Sequence, residues 1–184
     1  AEGDLSDQAE IAVEAAKKAL AAANKTASDI DAVIVSCAYP QRYSPAIAIE
    51  VQEALGIKGF GFDMLVACSA ATFALQRAYE MVAAGTARAV LTINPELTSP
   101  QNNFRDRDSH FIFGDVATAT IIERRETSSS EHCYDILTTQ AETIFSNNIS
   151  GHAFRRTGCY SFCSQKCYFL KRKCSLKKSR KRRI

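Results

Sequence analysis

Apolar and polar positions along the chain alternate between two kinds of segment. From Asp7 to Asn24, apolar residues recur at Ile11, Val13, Ala15, Ala16, Ala19 and Leu20, one face of a helix. Asp7 with Glu10 three residues on predicts its start as a capping box with Asp in place of Ser or Thr, and Asn24 predicts its stop. Ser28-Asp29-Ile30-Asp31 reads as a turn. Ala32-Val33-Ile34-Val35-Ser36-Cys37 is a short apolar run, the pattern of a strand covered on both faces. Pro45 to Leu55 predicts a helix opened by proline and closed by Gly56. Gly59 to Ala67 predicts a second buried strand, Ser69 to Ala84 a helix closed by Gly85, and Arg88 to Asn94 a third buried strand. Val116 to Ile122 and Tyr134 to Thr139 are further strand candidates.

Helices alternating with buried strands imply parallel strands joined by right-handed crossovers, hence a layered α/β fold with a mixed, mostly parallel sheet. Chemistry in open α/β sheets gathers at the carboxyl ends of the strands. Cys68 falls at such an end, where the second strand meets the helix. A sulfur there lies near free backbone N–H groups and the positive end of a helix dipole, a setting that favours thiolate, the nucleophilic form. Ser69, Ala70 and Ala71 are small enough to admit a substrate.

Charge changes the picture at one place. Residues 151–184 hold 12 of the 23 Lys and Arg and no acid, so residues 1–150 carry a net charge of −9. Cysteine divides similarly, with Cys37, Cys68 and Cys133 in the first part and Cys159, Cys163, Cys167 and Cys174 in the second. The expected organisation is an α/β unit over 1–150 and a basic, Cys-rich tail over 151–184 that is irregular or disordered. A frame change near Ser150 would produce such a stretch. The cysteine spacings in the tail are wider than the C-x2-C knuckles of structural zinc sites, so no metal is expected. No stretch of about 20 apolar residues predicts a membrane span. The acidic start does not read as a signal peptide, and a soluble protein of the cytoplasm is expected.

Several segments in order resemble the N-terminal half of β-ketoacyl-acyl carrier protein synthase III, a thiolase-fold condensing enzyme. They are Leu55-Gly56-Ile57-Lys58-Gly59, then Phe62 to Ala70 around Cys68, then Asp106-Arg107 with Phe113-Gly114-Asp115 shortly after. The resemblance covers roughly Asp4 to Ile149. It implies that Cys68 accepts an acyl group from acyl-coenzyme A, that Arg107 packs on coenzyme A, and that Phe113 lines the acyl pocket. Gly114 and Asp115 are expected to form a structural turn. The loop near Tyr43 to Pro45 is expected where a dimer partner closes the pocket. The acyl enzyme would then condense with malonyl-acyl carrier protein by decarboxylation. The resemblance implies acyl-coenzyme A and acyl carrier protein as partners, a homodimer in the intact family, and no permanently bound cofactor. Membrane and nucleic acid are not expected partners.

The family's first 40–50 residues, including one strand, are expected to be missing, as is the half bearing its catalytic His and Asn. His110, His132 and His152 are not expected to replace them. The expectation is therefore an acyltransferase of fatty-acid synthesis in truncated form. The alternatives are an inert or regulatory fragment that binds a synthase partner, and a nucleic-acid binder using Lys177 to Arg183.

Overall fold

The computed structural model describes residues 5–107 and 110–144 in full, and the backbone alone of 150–151, 160–161 and 164–173. Its centre is a four-stranded sheet of β1 (Ala32–Cys37), β2 (Phe60–Leu65), β3 (Ala89–Glu96) and β4 (Val116–Glu123), in the order β2-β1-β3-β4. β1 runs parallel to both β2 and β3, and β4 runs antiparallel to β3. Helices α1 (Asp7–Ala22) and α2 (Ile47–Leu55) cover one face, and α3 (Ala70–Ala83) covers the other. The pleat sorts the side chains. Val33, Val35, Leu91 and Ile93 meet α1 and α2, while Ile34 and Val90 meet Ala74, Ala78 and Met81 of α3.

The expected α/β architecture is the observed one, with differences that have physical causes. Ser6, not Asp7, caps α1. Its hydroxyl accepts from Ala9 N at 3.2 Å, and its backbone is extended while Asp7 is already helical. α2 begins at Ile47, two residues after Pro45, because its first amides take their acceptors from another strand: Asp63 of β2 accepts from Ile47 N at 2.9 Å and Ala48 N at 2.8 Å. β2 is not the buried strand that its composition predicts. Among the described residues it is an edge strand paired with β1 alone, and Phe60 and Leu65 remain 44% and 47% exposed. Gly56 and Gly85 close α2 and α3 with φ of +68° and +76°, as expected.

Beyond the sheet, β5 (Tyr134–Ile144) runs five residues past its predicted end. It pairs antiparallel with β8 (Ser164–Lys173), which supplies ladder partners out to Ile144. The sequence predicts no regular element over 164–173. A two-residue pair, β6 (Ser150–Gly151) with β7 (Tyr160–Ser161), lies between them. The remainder of the tail, including His152, Cys159, Cys163, Cys174 and Lys177 to Arg183, lies outside the described residues.

Gly59, just before β2, has φ +112°, and a Cβ there would stand 2.1 Å from the Asp31 carbonyl oxygen. That contact is with backbone, so no side-chain rotation relieves it. Gly59→Ala is expected to cost about 3 kcal/mol of stability, combining a clash with backbone strain. A urea midpoint unchanged by the substitution would contradict the geometry.

Candidate active site at the carboxyl end of the sheet

Cys68 is the middle residue of a 3-10 turn, Ala67–Ser69, that joins the end of β2 to the start of α3. The turn is sharp. Ala67 has φ +46°, a left-handed conformation that non-glycine residues rarely adopt. Ser69 N and Ser69 Oγ both donate to Val66 O, at 3.1 and 3.0 Å, which draws the turn closed. The result is an exposed, free Cys68 thiol held at a helix entrance. Ser69 places no side-chain cap on α3, and the first turn of α3 carries no acid. The first turn of α3, which starts two residues after Cys68, thus brings no carboxylate to this end of the helix.

Cys37 ends the neighbouring strand β1 in register with Leu65, yet its environment is the opposite. It is fully buried, and its thiol is pushed up to about 12, first by burial and then by the charges of Glu96 and Asp63. Such a thiol is not ionised near neutral pH. Cys133 is half-buried and immediately precedes β5.

Polar side chains that the sequence did not single out fix the loop following β1. Gln8 is fully buried in the first turn of α1. Its Nε2 donates to Pro95 O at 2.7 Å and Tyr39 O at 3.1 Å, and its Oε1 accepts from Gln41 N at 2.7 Å. Gln41 Oε1 in turn accepts from Gln8 N at 3.0 Å. Glu96, at the end of β3, accepts from Ala38 N at 2.9 Å, and burial pushes its carboxyl above the ordinary range. Buried Glu50 on α2 accepts from Ser6 N and Ser6 Oγ and pairs with Arg42. Burial raises Glu50, but Arg42 and Ser6 outweigh it and hold the carboxyl below its usual value. An isolated Gln, Glu or Ser carries no sequence signal for such pairings, because each partner is 31 or more residues away, Arg42 excepted.

The other sequence candidates stand on the connection between β3 and β4. Arg107 is exposed there, and Phe113 is 51% exposed. Asp115 accepts from Thr98 N at 2.7 Å and Ser99 N at 2.8 Å, and Thr98 Oγ1 donates to Gly114 O at 2.9 Å. Those Ser99 and Thr98 donors hold the Asp115 carboxyl below its usual range. Gly114 and Asp115 lie in irregular backbone rather than in the expected turn, and these bonds close the base of the loop that carries Arg107 and Phe113. His110 is half-buried on the same loop, its Nδ1 2.8 Å from Asp106 O and its ring edge-on to Phe111. His132 is exposed, with its backbone N–H donating to Ser130 Oγ. Among the described residues no group of three or more His, Cys, Asp or Glu could hold a metal ion, and no helix is long and apolar enough to cross a membrane.

A strand, a tight cysteine-bearing turn and a helix on a mixed, mostly parallel sheet define the class: a thiolase-like α/β layer with an exposed cysteine at the carboxyl end of a strand. Residues 62–142 match the family model of 3-oxoacyl-[acyl-carrier-protein] synthase III. The chain is 56% identical over 140 residues to the β-ketodecanoyl-[acyl-carrier-protein] synthase of Pseudomonas aeruginosa, covering 76% of this chain and 40% of that protein. It is 36% identical over 153 residues to β-ketoacyl-[acyl-carrier-protein] synthase III of Granulibacter bethesdensis, covering 77% and 47%. Among solved structures, 3-oxoacyl-[acyl-carrier-protein] synthase III of Aquifex aeolicus superposes with a TM-score of 0.68 at 32% identity, covering 77% of this chain and 44% of that one. The chain belongs to the 3-oxoacyl-[acyl-carrier-protein] synthase III family, and it spans less than half the length of these curated relatives.

Two outcomes test the site's electrostatics. At pH 8, iodoacetamide is expected to label Cys68 while Cys37 stays unlabelled until the chain is unfolded. With its thiol at about 12, only about one Cys37 in 10⁴ is ionised at that pH. Equal labelling of both in the folded chain would refute the contrast. Glu96→Gln is expected to stabilise the chain at pH 8. The raised carboxyl of Glu96 is charged and poorly solvated there, whereas an amide oxygen can still accept from Ala38 N. The gain, on the order of a few tenths of a kcal/mol after solvent screening, should vanish as pH falls below the Glu96 range and the wild-type group becomes neutral. Denaturation midpoints at pH 4 and pH 8 measure it.

Proposed function

We propose that this chain carries the acyl-accepting side of a β-ketoacyl-acyl carrier protein synthase III. The single observation behind the reading is the exposed Cys68 thiol on a left-handed turn at an uncapped helix entrance, in a chain of this family. In the first half-reaction the Cys68 thiolate attacks the thioester carbonyl of an acyl-coenzyme A. A tetrahedral oxyanion forms, and backbone N–H groups at the turn, that of Cys68 among them, are its donors. Collapse of the intermediate breaks the original C–S bond. Coenzyme A leaves as thiolate and takes up a proton, and the acyl group remains on Cys68.

Arg107 would hold coenzyme A and Phe113 would border the acyl chain. The Asp115 hydrogen bonds that set their loop support this arrangement. Acyl carrier protein as second substrate, a homodimer and a cytoplasmic location go with the same reading. So does the division near residue 150 into an α/β unit and a basic tail. Condensation with a malonyl thioester needs a histidine and an asparagine that the family resemblance assigns to its other half. Acyl transfer to Cys68 is therefore the step proposed for this chain. The comparisons favour it over the nucleic-acid reading of the tail.

The P. aeruginosa relative is named for a β-ketodecanoyl product. A two-carbon extension yields that ten-carbon chain from an eight-carbon donor, so an octanoyl thioester is the substrate to try first. Incubation with octanoyl-coenzyme A is expected to add one octanoyl group per chain, mapped to Cys68 by peptide mass spectrometry and absent in Cys68→Ala. No adduct, or an equal adduct on Cys68→Ala, would overturn the proposal.

A further inference from the structure

An acyl group on Cys68 is a thioester on an exposed sulfur, open to water. Its fate on this chain depends on the acids at the same end of the sheet. Asp63 commits both oxygens to Ile47 N and Ala48 N, and Asp115 accepts from the amides of Thr98 and Ser99. Glu96 differs. Its Oε1 accepts from Ala38 N at 2.9 Å, while its Oε2 has no hydrogen-bond partner among the described residues and is not sealed from solvent.

The ladder gives the position of that carboxylate. β1 pairs with β2 as Cys37 to Leu65 and with β3 as Val35 to Ile93, which sets Ala38 level with Val66 on one side and with Glu96 on the other. Ile34 and Val90 face α3, and Glu96, an even number of residues past Val90, falls on the same side. The Ala67–Ser69 turn carries the chain from Val66 to α3, so it too leaves the sheet on that side. Neighbouring strands lie about 4.8 Å apart. Glu96, anchored at Ala38 N, thus stands one strand away from the residue that opens the Cys68 turn, a gap of the kind one water bridges. Burial pushes its carboxyl above the ordinary range, towards the pH at which a carboxylate works best as a base. The titratable groups around it are Cys37 on β1, which keeps its proton, and Asp63 on β2, whose charge is taken up by α2. β4 sets Val116 opposite Glu96, and the first turn of α3 carries no charged residue.

We propose that Glu96 is the general base for hydrolysis of acyl-Cys68, which makes this chain a slow acyl-coenzyme A thioesterase. The substrate rests on the acyl-accepting reading above. A water at Oε2 attacks the thioester carbonyl carbon and gives a proton to Glu96. The tetrahedral intermediate collapses with cleavage of the C–Sγ bond. The carboxylic acid leaves, and the proton passes from Glu96 to the Cys68 thiolate.

The test loads the full chain in two ways, with octanoyl-coenzyme A and with p-nitrophenyl octanoate, an activated ester that needs no coenzyme A recognition. Loss of the octanoyl group from Cys68 is followed by peptide mass spectrometry, with the octanoyl thioester of N-acetylcysteamine as the free reference. At pH 8 the Cys68 thioester is expected to hydrolyse about a hundredfold faster than the reference, the lower end of what a positioned base contributes. Glu96→Gln should remove most of that gain, and Glu96→Asp should recover part of it. The rate should fall as pH drops through the raised Glu96 range, where the base takes up its proton, and Glu96→Gln should lack that fall. A carboxylate that only held the Ala38 amide would leave the pH profile unmoved. Decay as fast in Glu96→Gln as in the unaltered chain, or no faster in the unaltered chain than in the reference, overturns the proposal. If Glu96→Gln unfolds, the pH profile of the unaltered chain and the Asp variant decide. Loading by the ester but not by octanoyl-coenzyme A removes the acyl-accepting reading, and decay of the ester-loaded chain still decides the role of Glu96. A stable adduct from octanoyl-coenzyme A leaves that reading standing and removes the thioesterase. Failure of both reagents to load Cys68 overturns both.

Discussion

The burial of β1 is the constraint on which the rest of the structure depends. All six of its residues, Ala32 to Cys37, are fully inaccessible, and the strand pairs on both edges and packs on both faces. Burying side chains such as Val33, Ile34 and Val35 stabilises the fold by about 1.5–3 kcal/mol each before the entropy of ordering them is subtracted. With both edges and both faces taken, β1 has no freedom of register. A one-residue slip would move its apolar set from one helix layer to the other. The positions of β2 and β3, and so of everything at their carboxyl ends, are set relative to it.

That end of the sheet is held by more than strand pairing. Gln8 reaches from α1 to the ends of β1 and β3, and Glu96 from β3 holds the amide of Ala38. Asp63 serves two elements at once. Its backbone sits in the β2 ladder while its carboxylate caps α2 from outside. Since Asp63 is five residues before Cys68, the strand that leads to Cys68 also fixes the helix that follows the β1 loop. Buried acceptors of this kind are costly to leave unpaired, and each has a donor. A site that must aim one sulfur benefits from supports whose removal is so unfavourable.

The sequence made the order of elements legible because the strong signals are local. An apolar run, a helical period, and Gly56 or Gly85 at a left-handed stop each declare themselves within a few residues. Cys68 was legible for the same reason: it sits where a strand period gives way to small helix formers. What stayed hidden depends on distant partners. The Gln8–Gln41 exchange spans 33 residues and the Ser6–Glu50 pair spans 44. The exposure of β2 follows from its place at an edge, and the order of strands in space is not written in the run Phe60 to Leu65. The ladder of β8 with β5 was likewise invisible, because residues 164–173 have no apolar alternation to announce it.

Cys37 and Cys68 show how little of reactivity belongs to the residue itself. Their strands are adjacent and run the same way, and Cys37 lies in register with Leu65, three residues before Cys68. Cys37 remains inside the ladder, so its sulfur is desolvated and faces the field of Glu96 and Asp63, and the thiol keeps its proton. Past Leu65 the chain leaves the ladder, turns through the left-handed Ala67, and presents the next sulfur outside the sheet at the start of α3. Three residues and one positive φ separate a buried packing group from an exposed thiol. On β1, by contrast, burial and two carboxylates oppose ionisation of the Cys37 thiol.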